Sequence, residues 1–323
     1  MTKHPLPAIA RRHEAIRHAI TPLPGSQLCN HFKPLNIPGD CDGLTLLAAL
    51  ERMVGNVSVA GWQAEFAQGR IVNLEQRPVK AMQIVRAGQR YQHLFPNVAE
   101  PAVNGDVEIL HEDEALIVVN KPAPLPMHAA GRFYLNTLQH ILNAAYQPQT
   151  PFPAHRLDAN TTGLVLVART QFFAGRLQSQ FAQGQVEKAY LVRAPDRPPA
   201  ACFHCDAPIS AGSGEQCSRT IDLENGLAAR TEFRVLRRFT DGTNLLEARP
   251  LTGRTNQIRV HLWHLGFPVC GDPIYLPGKQ LGRTQTLAVG DPPLCLHAAR
   301  ASFLHPLSLE PVEFTAPLPA WAK

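Results

Sequence analysis

Sixteen residues, His155 to Thr170, constrain the fold of this chain more than any others. The second half, Leu164-Val165-Leu166-Val167-Ala168, is a short apolar run carrying β-branched residues, with Gly163 at its start. That pattern predicts a strand buried on both faces, so other layers must cover it. The first half, His155-Arg156-Leu157-Asp158-Ala159-Asn160-Thr161-Thr162, is polar and reads as the loop entering that strand. Asp158 is thereby placed on a loop at a sheet edge, beside an arginine, a histidine and threonines. A carboxylate so placed is a candidate for chemistry. The plain alternative is a surface ion pair between Arg156 and Asp158, with the threonines capping a turn.

The rest of the chain decides between these. At 323 residues it can bury a sizeable core as one large domain or two, and 45% hydrophobic with 18% charged residues is a globular composition. The formal charge of +5 is compatible with an RNA partner without being diagnostic of one. Prolines number 29, but apolar runs continue between them, so they read as loop and linker chemistry rather than disorder. The apolar runs are too short for a bilayer, and the first twenty residues lack the apolar core of a secretory signal. Seven scattered cysteines fit free thiols in a reducing compartment, and the cytoplasm is expected.

In chain order, residues 1–40 read as an irregular extension holding one short basic helix, Ala8 to Ile20, with Arg11, Arg12 and Arg17; Pro22, Pro24 and Gly25 break it. Residues 41–104 read as a small α+β unit. Leu44, Leu47, Leu50 and Met53 have helical spacing, a second helix falls near Trp62 to Gln68, a strand near Arg70 to Leu74, and another strand within Val79 to Tyr91. The order of these elements, with "RIVN" and "AGQRY", resembles a degenerate S4-like RNA-binding domain; a packing domain is the alternative. Residues 105–323 begin with a hairpin, Val107 to Val119. Helices follow near Asn136 to Ala145, Gln171 to Gly184 and Asn256 to Leu265. Strands fall at Val186 to Val192, Cys202 to Ile209, Thr231 to Arg237, Thr243 to Pro250 and Leu294 to Leu304.

Five separated pieces fall in one order: VVNKPAPLPMHAAGRF, HRLDANTTGLVLVA, EKAYLVRA, PLTGRTNQIRVHLWHLGFPVCGDPIY and LCLHAARASFLHP. Together they closely resemble the RluA-type RNA pseudouridine synthases, from about Val107 to the end. The resemblance implies an α+β fold with a mixed, mainly antiparallel sheet, flanking helices and a central cleft. It implies isomerisation of a uridine to pseudouridine in structured RNA. It makes Asp158 the catalytic nucleophile, Tyr190 the residue stacking on the target base, and Arg259 the arginine paired with the aspartate. Arg156 would help displace and hold the flipped base. His155, Thr161, Lys188, Arg254 and Arg132 are further candidates for binding the substrate.

The chemistry suits these residue types. Breaking N1–C1′ and forming C5–C1′ is an internal rearrangement, so no cofactor is expected. The nucleophile must stay ionised beneath a covering RNA, and a neighbouring arginine, which never loses its proton, favours that form. Extruding the base costs a few kcal/mol, of which stacking on an aromatic ring returns about 1–3 kcal/mol. Two positions depart from the family pattern: Thr162 replaces a serine and Asn256 replaces the histidine of GRTHQIR.

No metal is expected. Cys202 and Cys205, in Cys202-Phe203-His204-Cys205, with Cys217 suggest zinc, but a fourth ligand at proper spacing is missing, and His261 and His264 read as packing or RNA-contact residues. A nucleobase deaminase is excluded, because no histidine is followed two residues later by glutamate and the C-x-x-C is not preceded by proline. A catalytically silent RNA-binding or ribosome-assembly protein on the same fold is the alternative, disfavoured by the joint presence of Asp158, Tyr190 and Arg259. The expected partner is RNA, with no membrane, and the chain is expected to be a monomer. The segment Pro126 to Phe133 with Asn136-Thr137 is similar to a branch of the family acting on the tRNA anticodon arm, so tRNA is favoured over ribosomal RNA.

Overall fold

The computed structural model describes residues 6–20, 28–55, 57–195, 198, 200–212 and 218–323. The chain divides into two compact units, Ser26–Glu100 and the combination of Met1–Gly25 with Pro101–Lys323. The boundaries therefore differ from those expected at residues 40 and 104. The expected irregular extension contains a 15-residue helix, α1 (Leu6–Ile20), that belongs to the larger unit, and a strand, β1 (Leu28–Asn36), that belongs to the smaller. Helix α1 is held by its basic face as well as its apolar one. Ile16 is buried, the Arg12 guanidinium donates to the Ala145 carbonyl (3.1 Å) and lies over the Tyr146 ring, and His13 Nε2 accepts the Ile109 N–H (2.8 Å).

The small unit is β1, α2 (Leu46–Met53), α3 (Val59–Ala67), β2 (Ile71–Val72) and β3 (Arg90–Ala99), with the antiparallel sheet ordered β1-β3-β2. Thr45 caps α2 by accepting the Ala48 N–H, and Ser58 caps α3 by accepting the Gly61 N–H. That serine is why α3 starts earlier than the apolar spacing suggests. Leu35, Leu46, Leu50, Trp62, Ile71 and Tyr91 form the core. No strand occupies Val79 to Gln89. The long strand starts at Arg90 and runs on to Ala99.

The larger unit continues with β4 (Glu108–Glu112), β5 (Leu116–Lys121), α4 (Leu138–Ala145), β6 (Phe152–Pro153), β7 (Thr162–Ala168), α5 (Gln171–Ala182), β8 (Glu187–Pro195), β9 (Cys202–Cys205), β10 (Thr231–Arg238), β11 (Thr243–Pro250), α6 (Gln257–His264), β12 (Tyr275–Leu276), β13 (Gln280–Leu281), β14 (Leu296–Leu304) and β15 (Pro311–Thr315). Its main sheet runs β4-β5-β7-β14-β8-β11-β10-β9, with β6 on β7 and β15 on β14. Every pair is antiparallel except β7 with β14. The fold is thus the mixed, mainly antiparallel α+β sheet expected.

The one parallel pair is short, Thr162 opposite His297 and Gly163 opposite Ala298. Gly163 has φ +108°, and a Cβ there would stand 2.2 Å from the Ala298 carbonyl oxygen, so only glycine permits the approach. Beyond Gly163 the two strands part. On that edge of β7, Phe152 and Pro153 pair with Ala168 and Val167. Leu166 lies between the two pairings, and the residues just before the Asp158 loop satisfy it. The Ala154 N–H donates to the Leu166 carbonyl (2.9 Å), and the Leu166 N–H donates to His155 Nε2 (3.0 Å). The strand Leu164 to Ala168 is buried throughout, as its composition requires. Among the described residues no helix is long and apolar enough to cross a membrane.

Candidate active site

Asp158 lies in the loop between β6 and β7, and that loop is fixed on both sides of it. The buried Lys121 ammonium donates to the carbonyls of Pro122 (3.0 Å), Leu125 (2.9 Å) and Ala159 (3.2 Å). The Leu125 N–H also donates to the Ala159 carbonyl (2.9 Å). Burial pushes Lys121 down to about 7, and the Asp158 charge opposes that. On the other side, Asn160 is buried. Its Oδ1 accepts the Leu287 N–H (3.0 Å) and its Nδ2 donates to the Gln285 carbonyl (3.1 Å).

The opposite wall is the turn before α6. Gln257 organises it: Oε1 accepts the Arg254 N–H (2.9 Å) and the Thr252 hydroxyl (2.7 Å), while Nε2 donates to the Arg230 carbonyl and Thr231 Oγ1 (3.0 Å each). Asn256 stands at the N-cap position of α6 with φ +58°, a left-handed conformation asparagine tolerates well, and its side chain turns to other partners. Its Oδ1 accepts from Arg259 (3.3 Å) and its Nδ2 donates to Tyr275 Oη (3.0 Å), so it works as a spacer between two side chains of the site.

Arg259, on α6, is 3% exposed and joins two carboxylates. Its Nη1 donates to Asp158 Oδ2 (3.0 Å); its Nε and Nη2 donate to Asp272 Oδ2 (2.7 Å) and Oδ1 (2.8 Å). Asp272 in turn accepts the N–H groups of Ile274 (2.9 Å) and Tyr275 (3.0 Å). Burial alone would weaken the arginine's hold on its proton; Asp272, then Asp158, reverse this and raise its pKa above the ordinary value. The guanidinium is therefore a fixed cation aimed at Asp158.

Tyr190, on β8, has Ala248 and Ala298 as its cross-strand neighbours and packs against both main core clusters of the unit. Burial, then the Asp158 charge, pushes its phenol pKa upward. Two residues earlier, Lys188 lies against the Gly253 turn, and burial pushes its pKa down. Asp158, Tyr190 and Arg259 all line one cleft of about 850 Å³. Arg156, Lys188, Arg249, Arg254, Arg259 and Arg300 bring six cations to its lining against three acids, Asp158, Glu187 and Glu232, so the cleft favours an anionic ligand.

The other candidates divide. Thr161 and Lys188 line the cleft, and Arg254 does so while its Nε is tethered to the Ala228 carbonyl (3.0 Å). Exposed Arg156 lines both this cleft and a second pocket of about 380 Å³. His155 touches both pockets, but its Nε2 accepts the Leu166 N–H, and burial, then Lys188, push its pKa down to about 4; it is a neutral, inward-facing support of the loop. Arg132 is exposed and lines neither pocket. Its segment reaches the site through His128, which lines the second pocket beside Arg156.

Lys121 and Asp272 were not singled out, although NKP and GDPIY stand in the sequence; nothing in a lone lysine or aspartate signals that it will be buried against this loop or this arginine. Thr162 uses its hydroxyl on His297 Nδ1 (2.8 Å) across the parallel pair, away from the cleft lining. Cys202 is exposed and Cys205 buried on strand β9, which turns them to opposite faces; Cys217 lies outside the described residues. His261 is buried, with Nδ1 against Thr231 Oγ1 (2.9 Å) and Nε2 against the Ala207 carbonyl (3.0 Å), so both nitrogens are engaged in packing.

Residues 115–264 match the family model described as RNA pseudouridylate synthase. Among curated relatives, ribosomal large subunit pseudouridine synthase D of Nitrosomonas europaea is 33% identical over 306 residues, 91% of this chain and 87% of that protein. Human pseudouridylate synthase RPUSD2 is 34% identical over 218 residues, 67% of this chain but only 39% of its own length. The solved structure of human RNA pseudouridylate synthase domain containing 1 superposes with a TM-score of 0.54 at 27% identity, covering 66% of this chain and 84% of that one. The chain belongs to the RluA-type RNA pseudouridine synthase family.

Proposed function

We propose that this protein converts a uridine of structured RNA to pseudouridine, with Asp158 as the nucleophile. The observation that carries the reading is the Asp158–Arg259 pair at 3.0 Å, whose arginine is itself locked onto Asp272, inside a cleft lined mainly by cations. Arg259, which keeps its own proton, holds a fixed positive charge 3.0 Å from Asp158 Oδ2. Tyr190 offers the flipped base a stacking face, and Arg156, at the divide between two pockets, is placed to fill the space the base leaves or to hold the displaced strand. The base detaches from C1′ through N1, turns, and rejoins through C5. The C5 proton leaves and N1 gains one, so no oxidant or transferred group is needed.

Two substrates are considered. The anticodon arm of tRNA rests on the similarity of the Pro126–Phe133 segment, which meets the site through His128 rather than Arg132. Large-subunit ribosomal RNA is supported by the name of the Nitrosomonas relative. Both present unstacked bases that a cleft can accept without melting a duplex. The test offers bulk tRNA and protein-free ribosomal RNA, each labelled with tritium at uridine C5, at matched low and moderate salt. Tritium release from either supports the activity, and the RNA that releases it names the target. Release from neither, with RNA still bound, would leave a silent RNA-binding protein.

A further inference from the structure

The small unit holds a cluster with no part in the reaction above. Strand β1 alternates its side chains, and at the end far from the apolar core its inward positions are Cys29 and His31 rather than aliphatics. A bulge between these two residues shifts the register with β3 and changes their aim. Glu100 stands one residue past β3. His31 and Glu100 are each 3% exposed, and Cys29 is half-buried. The donor atoms of all three lie within 4.8 Å of one another.

One carboxylate oxygen, Glu100 Oε1, forms a corner of two short edges: 3.3 Å to Cys29 Sγ and 3.3 Å to His31 Nε2. Zinc bonds of about 2.0–2.3 Å at tetrahedral angles give ligand–ligand edges of roughly 3.3–3.7 Å. Two of the three edges thus have the length of a coordination face, and the third, between Cys29 Sγ and His31 Nε2, lies within 4.8 Å. We propose that Cys29, His31 and Glu100 bind a divalent ion of zinc type, with water completing four-coordination, as a clasp on the small unit.

The ligand set of thiolate, imidazole and carboxylate suits zinc over magnesium or calcium, which take oxygen ligands. A thiol gives up its proton when it ligates zinc, so binding at Cys29 would release one. The position explains what the ion would do. The unit runs from Ser26 to Glu100, so Cys29 and His31 lie near its first residue and Glu100 is its last. An ion held here joins the two chain ends of the unit and closes a loop of about seventy residues, the arrangement in which a cross-link restrains the unfolded chain most. The competing account is a thiol donating to a carboxylate beside a histidine, with no ion.

Cobalt(II) separates the two. Full-length, tag-free protein stripped with chelator is titrated with cobalt. The expected result is one equivalent bound, with visible bands of tetrahedral cobalt and a near-ultraviolet thiolate-to-cobalt band, all removed by one equivalent of zinc. Cys29→Ser should lose the ultraviolet band. His31→Gln and Glu100→Gln should lose the tetrahedral spectrum, and the double variant Cys202→Ser, Cys205→Ser should keep every band. Circular dichroism checks that each variant is folded, and in the wild-type chain zinc should raise the melting temperature of the stripped protein. No cobalt spectrum in the wild-type protein, or a thiolate band that survives Cys29→Ser, would overturn the assignment.

Discussion

Asp158 and Asp272 hold the same guanidinium from opposite sides. At the floor, Asp272 has no exposed side chain, takes two hydrogen bonds from Arg259 and two more from backbone N–H groups. At the mouth, Asp158 is 24% exposed and takes one side-chain hydrogen bond from Arg259 on a single oxygen. A buried carboxylate engaged on both oxygens is a structural anchor; one engaged on a single oxygen and open to the cleft keeps electron pairs for a ligand. One arginine so divided can fix its own position on Asp272 and present a hydrogen-bond donor to Asp158.

That contrast can be broken in stages. Asp158→Asn should lower tritium release on the order of 10⁴-fold or more, the scale on which nucleophile removal acts, while urea unfolding shifts by no more than about 1 kcal/mol. Substantial remaining turnover would remove Asp158 from the chemistry. Asp272→Asn should do the reverse at the level of folding. It leaves Arg259 buried with its main counter-charge gone, a loss of about 3–5 kcal/mol in chemical denaturation. An Asp272→Asn protein as stable as the parent would dissolve the distinction between floor and mouth.

Arg156→Ala probes the rim. RNA affinity should fall with its logarithmic salt slope shallower by about 1 if the side chain meets a phosphate, measured by filter binding across a salt series. An unchanged slope with lower turnover would instead assign Arg156 to the flipped base. A further prediction concerns pH. His155 and His297 are both pushed from 6.5 to about 4 by burial, so the unfolded chain takes up these protons first. Stability should therefore be fully present above about 6.5 and fall as pH drops to about 4. His155→Gln, which can still accept from Leu166, should flatten that decline in urea titrations; an unaltered slope would mean the imidazole is not held neutral.

The contrast between floor and mouth also marks what the sequence made legible. Asp158, Tyr190 and Arg259 stand in ordered motifs, and the structure brings them to one cleft because those motifs are the ends of β7, β8 and α6. The buried run Leu164 to Ala168 announced its strand by composition. Asp272 and Lys121 were hidden, since their importance lies in burial against distant segments. His155 looked like a ligand residue because polarity is visible in sequence while direction is not; only the parting of β7 from β14 explains why an imidazole must serve the backbone there. Strand β1 was missed because its inward positions include cysteine and histidine, which spoil the apolar alternation a strand is recognised by.

The short parallel pair has a further consequence, in time rather than space. Strand β14 sits mid-sheet between β7 and β8, yet in sequence it follows nearly every other strand of the unit. Thr162 must wait for His297, 135 residues later, before its side of the sheet is closed. On a ribosome, β4 to β11 can emerge while the gap meant for β14 stays open, with apolar edges uncovered. Such long-range closure is slow and leaves a nascent chain open to misassembly. Completing the sheet therefore depends on joining segments 135 residues apart, a contact that forms only after a long loop has been closed.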